Sequence, residues 1–191
     1  MNLPNKLTTL RLALAILLVV FYSIFKNEQF IMWIVSAAFI IGSITDFLDG
    51  YIARKYNLVT GFGKLMDPLA DKLLVISTII VLIDYGTIPY FWLVIIVIAR
   101  ELLVLGVRLA ALEGNGEVIA ADILGKIKTF TQMISLSALC ILAGLSKYII
   151  DNNVINVLTL IFLILFYISV AFAIISGINY FWKNRKNFKT K

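Results

Sequence analysis

The stretch DFLDGYIARKYNLVTGFGKLMDPLAD, residues 46–71, carries four aspartates, one arginine and three glycines between two long apolar runs. The 191-residue chain around it is 61% hydrophobic and 15% charged, with a mean hydropathy of +0.98. Repeated apolar runs of this length are membrane spans rather than core helices of a soluble domain. The stretch therefore poses a question: why does so apolar a chain gather four carboxylates in one short segment?

Hydropathy divides the chain into about six spans of roughly 20 residues each, at 8–25, 30–53, 68–83, 90–112, 123–145 and 154–182. Continuous apolar runs without alternation are helices, because only helices and closed barrels satisfy every backbone group in hydrocarbon. The fold class expected is an all-α integral membrane protein of six transmembrane helices, with residues 1–191 forming a single transmembrane catalytic domain. The first run lacks a small-residue cleavage site and reads as a retained span rather than a signal peptide. Asp67 followed by Pro68 has the form of an N-cap with proline at the first helical position, which predicts that the third span begins there. Pro89 plays a similar part before the fourth.

Basic residues alternate between the polar segments. Lys6 and Arg11, then Arg54, Lys55 and Lys64, then Arg108, Lys126 and Lys128, then the tail from Lys183 to Lys191 mark one side. The other connections hold Lys26 and Lys147 against Glu28, Asp84 and Asp151. The positive-inside rule puts both termini and the four aspartates in the cytoplasm, in what is expected to be a bacterial cytoplasmic membrane. The net charge of +6 then reflects topology and attraction to anionic lipid headgroups, and no nucleic-acid partner is expected. Tyr90, Trp92, Tyr148, Tyr180 and Trp182 fall near span ends, where an aromatic belt accounts for them. Cys140 sits alone in an apolar run, so neither a disulfide nor a thiolate metal site is available. The chain has no histidine, and any acid-base or metal chemistry rests on Asp and Glu.

Asp46 and Asp49 are three apart, and Asp67 and Asp71 four apart, so each pair shares one helical face. If the second and third spans pack as an antiparallel pair joined by a loop over 55–65, the two faces meet. Four like charges at the edge of a low-dielectric region repel by several kcal/mol, and a cation belongs among them. Oxygen-only ligands favour hard divalent ions, Mg²⁺ or Mn²⁺, and two ions balance the charge better than one. A pair of such ions polarises phosphoryl oxygens and steadies both the entering and leaving oxygens of a displacement. Gly50 and Ala53 lie on the face of Asp46 and Asp49 and clear room beside the metals. Arg54 is placed to hold phosphate, while Gly61 and Gly63 let the loop turn back. A solvated acidic helix-loop-helix with no chemistry explains one or two aspartates, not four on matching faces.

The spacing Asp46-x2-Asp49-Gly50-x2-Ala53-Arg54-x8-Gly63-x3-Asp67-x3-Asp71 resembles the signature of the CDP-alcohol phosphatidyltransferases at every defined position. That resemblance implies six transmembrane helices, a homodimer, and a cytoplasm-facing site where CDP-diacylglycerol loses CMP to an alcohol. It also implies that Asp46, Asp49 and Asp67 bind the metals, and that Asp71 joins the cluster and serves as base for the acceptor hydroxyl. Three further stretches, NLPNKLTTLRLALA (2–15), IARELLVLGVR (98–108) and GKIKTFTQM (125–133), are similar to the phosphatidylglycerophosphate synthase branch. The acceptor that branch implies is glycerol 3-phosphate, on the way to phosphatidylglycerol and cardiolipin.

A phosphorylated acceptor agrees with Arg108, Lys126 and Lys128, cations on the side of the aspartates; positive-inside anchoring is the alternative, which for Lys128 stands level with ligand contact. Arg100 and Glu101 either reach the acceptor or pair with other buried charges. Asn5, Thr8 and Arg11 form a polar face that either touches the nucleotide and diphosphate or caps and snorkels. The rival within the same chemistry is another acceptor, such as phosphatidylglycerol, serine or an inositol phosphate. The rival outside it is a divalent-cation transporter, against which stand the edge position of the aspartates and the absence of a visible repeat.

Overall fold

The computed structural model describes residues 3–55, 61–115, 123–146, 148 and 153–184; the side chains of 3–5, 47–55, 61–65, 67, 68, 108–115 and 184 lie outside this description. The described residues form six helices and no strand: α1 (Leu3–Phe25), α2 (Ile31–Lys55), α3 (Gly61–Asp84), α4 (Trp92–Asn115), α5 (Ile123–Ser146) and α6 (Asn153–Asn184). The shortest has 23 residues, and at about 1.5 Å per residue it is long enough for a hydrocarbon core of about 30 Å. Among the described residues, α1 from Lys6, α5 and α6 are long and apolar enough to span outright. Ile31–Asp46 of α2 forms a shorter apolar helix among the described residues, while Asp71 and Lys72 in α3 and Arg100 and Glu101 in α4 interrupt the apolar runs of those helices. The chain is an integral membrane protein.

α1 packs on α2 and α3, α5 on α6 and α2, and α4 on α6 and α3, while α3 also touches α5. The shared core holds Met32, Phe39, Leu74, Ile79, Leu82, Leu136, Leu139, Cys140 and Phe166, none with exposed surface. Outward-facing Ile16, Ile24, Ile95, Phe130, Ile161 and Ile175 leave an apolar exterior, as lipid requires. Gly42 lets α2 approach α3, because a Cβ there would collide with the Leu74 side chain. Buried hydroxyls are satisfied within their own helices: Ser36 donates to the Met32 carbonyl, Thr78 to Leu74 and Ser169 to Phe166.

The expected start of the third helix at Asp67–Pro68 is corrected. α3 begins at Gly61, so Gly61 and Gly63 lie in its first turn and not in a connecting loop. A proline inside a helix removes one backbone donor, here the bond to the Lys64 carbonyl, and membrane helices tolerate that loss. The correction extends the helical stripe: Gly63, Asp67 and Asp71, each four apart, follow one face of a continuous helix.

The far end of α3 closes in a Schellman motif. The Thr87 amide donates to the Leu82 carbonyl at 2.9 Å and the Gly86 amide to Ile83 at 3.0 Å, with Gly86 at a φ of 88°. At that end Tyr22 donates to Asp84 at 3.0 Å, and Lys26 stands 3.7 Å from the same carboxylate. Of the expected belt aromatics, Tyr90, Trp92, Tyr148 and Trp182 are exposed. Tyr180 is not: two positions from Trp182 on α6 it faces the opposite way, and it packs with Val104 and Val107 of α4.

Candidate active site

Arg11, on the second turn-and-a-half of α1, has no exposed surface, and its Nη1 lies 2.7 Å from Asp46 Oδ1 on α2. A guanidinium taken out of water requires an anion and hydrogen-bond acceptors. Thr8, one turn earlier on the same face, is also buried. Of the two readings of this polar face, snorkelling to the surface is thus replaced by burial at the aspartates. Asn5 belongs to the same face, but its side chain lies outside the described residues.

Asp71 stands within electrostatic range of Asp46, Arg11, Lys72 and Glu101. The carboxylates that head and close the sequence stretch thus act on one another electrostatically. Asp49, Gly50, Ala53 and Arg54 lie on the last turns of α2, and Gly63 and Asp67 on the first turns of α3. Their side chains, like that of Arg108 on α4, lie outside the described residues. Among the described residues no three potential metal-ligating side chains converge. Asp71 Oδ1 is buried without a hydrogen-bond partner. A carboxylate oxygen shut off from water is costly unless a donor or cation meets it, and a hard cation suits that oxygen.

Beside this centre lies a cluster that the sequence left open. Glu101 of α4 accepts from Lys128 Nζ of α5 at 2.7 Å and from Arg100 Nη1 at 3.0 Å, and Lys72 Nζ of α3 stands 3.6 Å away. Arg100 Nη2 continues to Ser176 Oγ of α6 at 3.1 Å. Its side chain runs through a slot between helices, where a Cβ on Gly125 or Gly177 would come within 3.2 Å of it. A pocket of about 30 Å³ opens among Asp71, Lys72, Glu101, Lys128 and Gln132. Of the two readings of Arg100 and Glu101, pairing with buried charges is the one observed. Lys72, Gln132 and Ser176 were missed; the only signal for them was an Arg-Glu pair deep in a span, which demands partners on other helices.

A cavity of about 900 Å³ lies between α2 and α5. Ile40, Ile44, Phe130 and Met133 line it, with Asp46 and the exposed Lys126 at its polar edge. Lys126 and Lys128, two apart on α5, thus face different environments: one the open cavity, the other the buried cluster.

Residues 1–175 match the family model described as CDP-alcohol phosphatidyltransferase. A Bacillus subtilis protein named CDP-diacylglycerol–glycerol-3-phosphate 3-phosphatidyltransferase is 42% identical over 200 aligned residues, covering 99% of this chain and 98% of its own. A protein of the same name from Rickettsia bellii is 42% identical, with 98% and 97% covered. Another from Mycoplasma pneumoniae is 33% identical, with 100% and 90% covered.

Proposed function

Since the chain belongs to the CDP-alcohol phosphatidyltransferase family, we propose that it transfers the phosphatidyl group of CDP-diacylglycerol to glycerol 3-phosphate, giving phosphatidylglycerophosphate and CMP. The observation that carries the acceptor is the near full-length similarity to relatives bearing that activity in their names. The reaction makes the product a precursor of anionic phospholipids.

Asp46, Asp49, Asp67 and Asp71 would hold two divalent cations, Mg²⁺ or Mn²⁺, which supply the charge that draws the diphosphate into place and steadies the departing phosphate. Arg11 orients Asp46 from behind, through the 2.7 Å contact. Asp71 takes the proton of the acceptor's 1-hydroxyl; that oxygen bonds to the lipid-bearing phosphorus, the phosphorus–oxygen bond to CMP breaks, and CMP leaves. Arg54 grips phosphate, and Asn5 and Thr8 face the nucleotide. Gly50, Ala53 and Gly63 leave space on the helix faces for it. The apolar cavity between α2 and α5, open at the polar edge of Asp46, suits the acyl chains of the donor. Lys126 at that edge and Arg108 on α4 collect the phosphate of the acceptor. The positive-inside pattern supports a site facing the cytoplasm, with both termini on that side, and a homodimer completes the reading.

Labelled glycerol 3-phosphate, serine, phosphatidylglycerol and inositol phosphate, offered side by side with CDP-diacylglycerol, test the acceptor. Glycerol 3-phosphate is expected to be the best substrate. If another alcohol is turned over faster, the chemistry stands and the acceptor is wrong.

A further inference from the structure

Lys72, Arg100 and Lys128, from α3, α4 and α5, converge on the single carboxylate of Glu101, and all four side chains keep between 5 and 17% of their surface. Three cations around one anion leave positive charge inside a low-dielectric bundle, where it needs a further anion close by. Asp71 is that neighbour, adjacent to Lys72 on α3 and lining the same small pocket. Consecutive helical residues point about 100° apart. Holding the Lys72 ammonium on Glu101 therefore fixes the rotation of α3 about its axis, and with it the direction in which the Asp71 carboxylate points. Arg100 anchors the same assembly to α6 through Ser176.

Lys128 is committed to this assembly. Its ammonium lies 2.7 Å from Glu101, and the residue is 4% exposed. The pocket beside it, about 30 Å³, is narrow, and Lys128 meets it with an ammonium already bonded to Glu101. Lys126 keeps its charge exposed at the edge of the large cavity.

We infer that Glu101 and Lys128 are positioning residues that aim Asp71 through Lys72, and that Lys128 is not a ligand of the acceptor's phosphate. The inference rests on the proposed reaction but makes a separate claim. It is read from steady-state kinetics of the purified full-length protein in lipid nanodiscs, with glycerol 3-phosphate varied. Lys128→Met and Glu101→Gln are expected to lower kcat by about tenfold to a hundredfold, with KM for glycerol 3-phosphate within about twofold of wild type. Glu101→Asp recovers part of the loss, whereas Lys126→Met raises KM about tenfold. A raised KM with intact kcat in Lys128→Met would overturn the inference, as would an unchanged kcat in both variants. Should Lys128→Met fail to fold, amine labelling of the wild type decides. Lys128 is expected to stay unmodified with or without acceptor, and labelling that glycerol 3-phosphate prevents would make it a ligand. A wild type inert toward glycerol 3-phosphate but active on another alcohol would defeat the acceptor assignment alone, and the kcat losses, measured with that alcohol, would still judge the pair.

Discussion

Arg11 Nη1 lies 2.7 Å from Asp46 Oδ1, so a guanidinium with no exposed surface stands behind the first carboxylate of the signature. The pair links α1 to α2 at the end of the bundle where α3 brings Asp71. It ties α1 to the aspartates through a contact that the hydropathy of α1 alone does not disclose.

Removing Arg11 takes away the cation 2.7 Å from Asp46 and leaves a cavity where the guanidinium was. Arg11→Ala is expected to lower kcat/KM by about tenfold to a hundredfold and to weaken the activating metal by a similar factor. Arg11→Lys retains charge but loses the planar fork, and falls between the two. Metal titrations of activity for the three proteins check this; metal dependence identical to wild type in Arg11→Ala would refute it.

The slot around Arg100 gives a prediction based on space. Gly177 faces the Arg100 side chain so closely that an added Cβ would sit 3.2 Å from its Cγ. Gly177→Val is expected to destabilise the protein by about 1–3 kcal/mol through overpacking, and to reduce kcat in the manner of Glu101→Gln. Thermal unfolding in detergent and the transfer assay read the two effects.

Gly86 supplies a contrasting case at the other end of α3. Its φ of 88° suits glycine, and a β-branched residue there is strained by about 1–2 kcal/mol. Gly86→Val is expected to lower the unfolding temperature and to leave KM for both substrates unchanged, because the turn lies at the end of the bundle away from the aspartates. Gly86→Asn, which tolerates this backbone region better, is expected to lose less.

How far the sequence disclosed this arrangement depended on the range of the interaction concerned. The helices were legible because the preference of an apolar run for lipid adds up along the chain, and the i, i+3 and i, i+4 spacings of the aspartates are local helix geometry. Cys140 was legible as a residue of an apolar run, but whether it faced core or lipid was not, and it is buried in the core. The start of α3 was misplaced because Asp67–Pro68 carries a helix-entry signal that an already formed helix overrides at the loss of one backbone bond. Arg11 illustrates a second limit: a basic residue near a span end has the same sequence appearance whether it snorkels or is buried. Convergence of Lys72, Arg100 and Lys128 on Glu101 was illegible because it depends on the relative rotation of three helices, which hydropathy does not set. Tyr180 was assigned to the surface for the same reason.

The central claim, metal-dependent phosphatidyl transfer with Asp71 as base, is tested most directly by transfer of labelled glycerol 3-phosphate into extractable lipid. The purified protein is given CDP-diacylglycerol with Mg²⁺, with Mn²⁺ or with chelator, beside Asp71→Asn. The account predicts lipid product with either metal, none with chelator, and a loss of about 10²-fold or more in the folded variant. Product formed at the wild-type rate in chelator or by Asp71→Asn would contradict it.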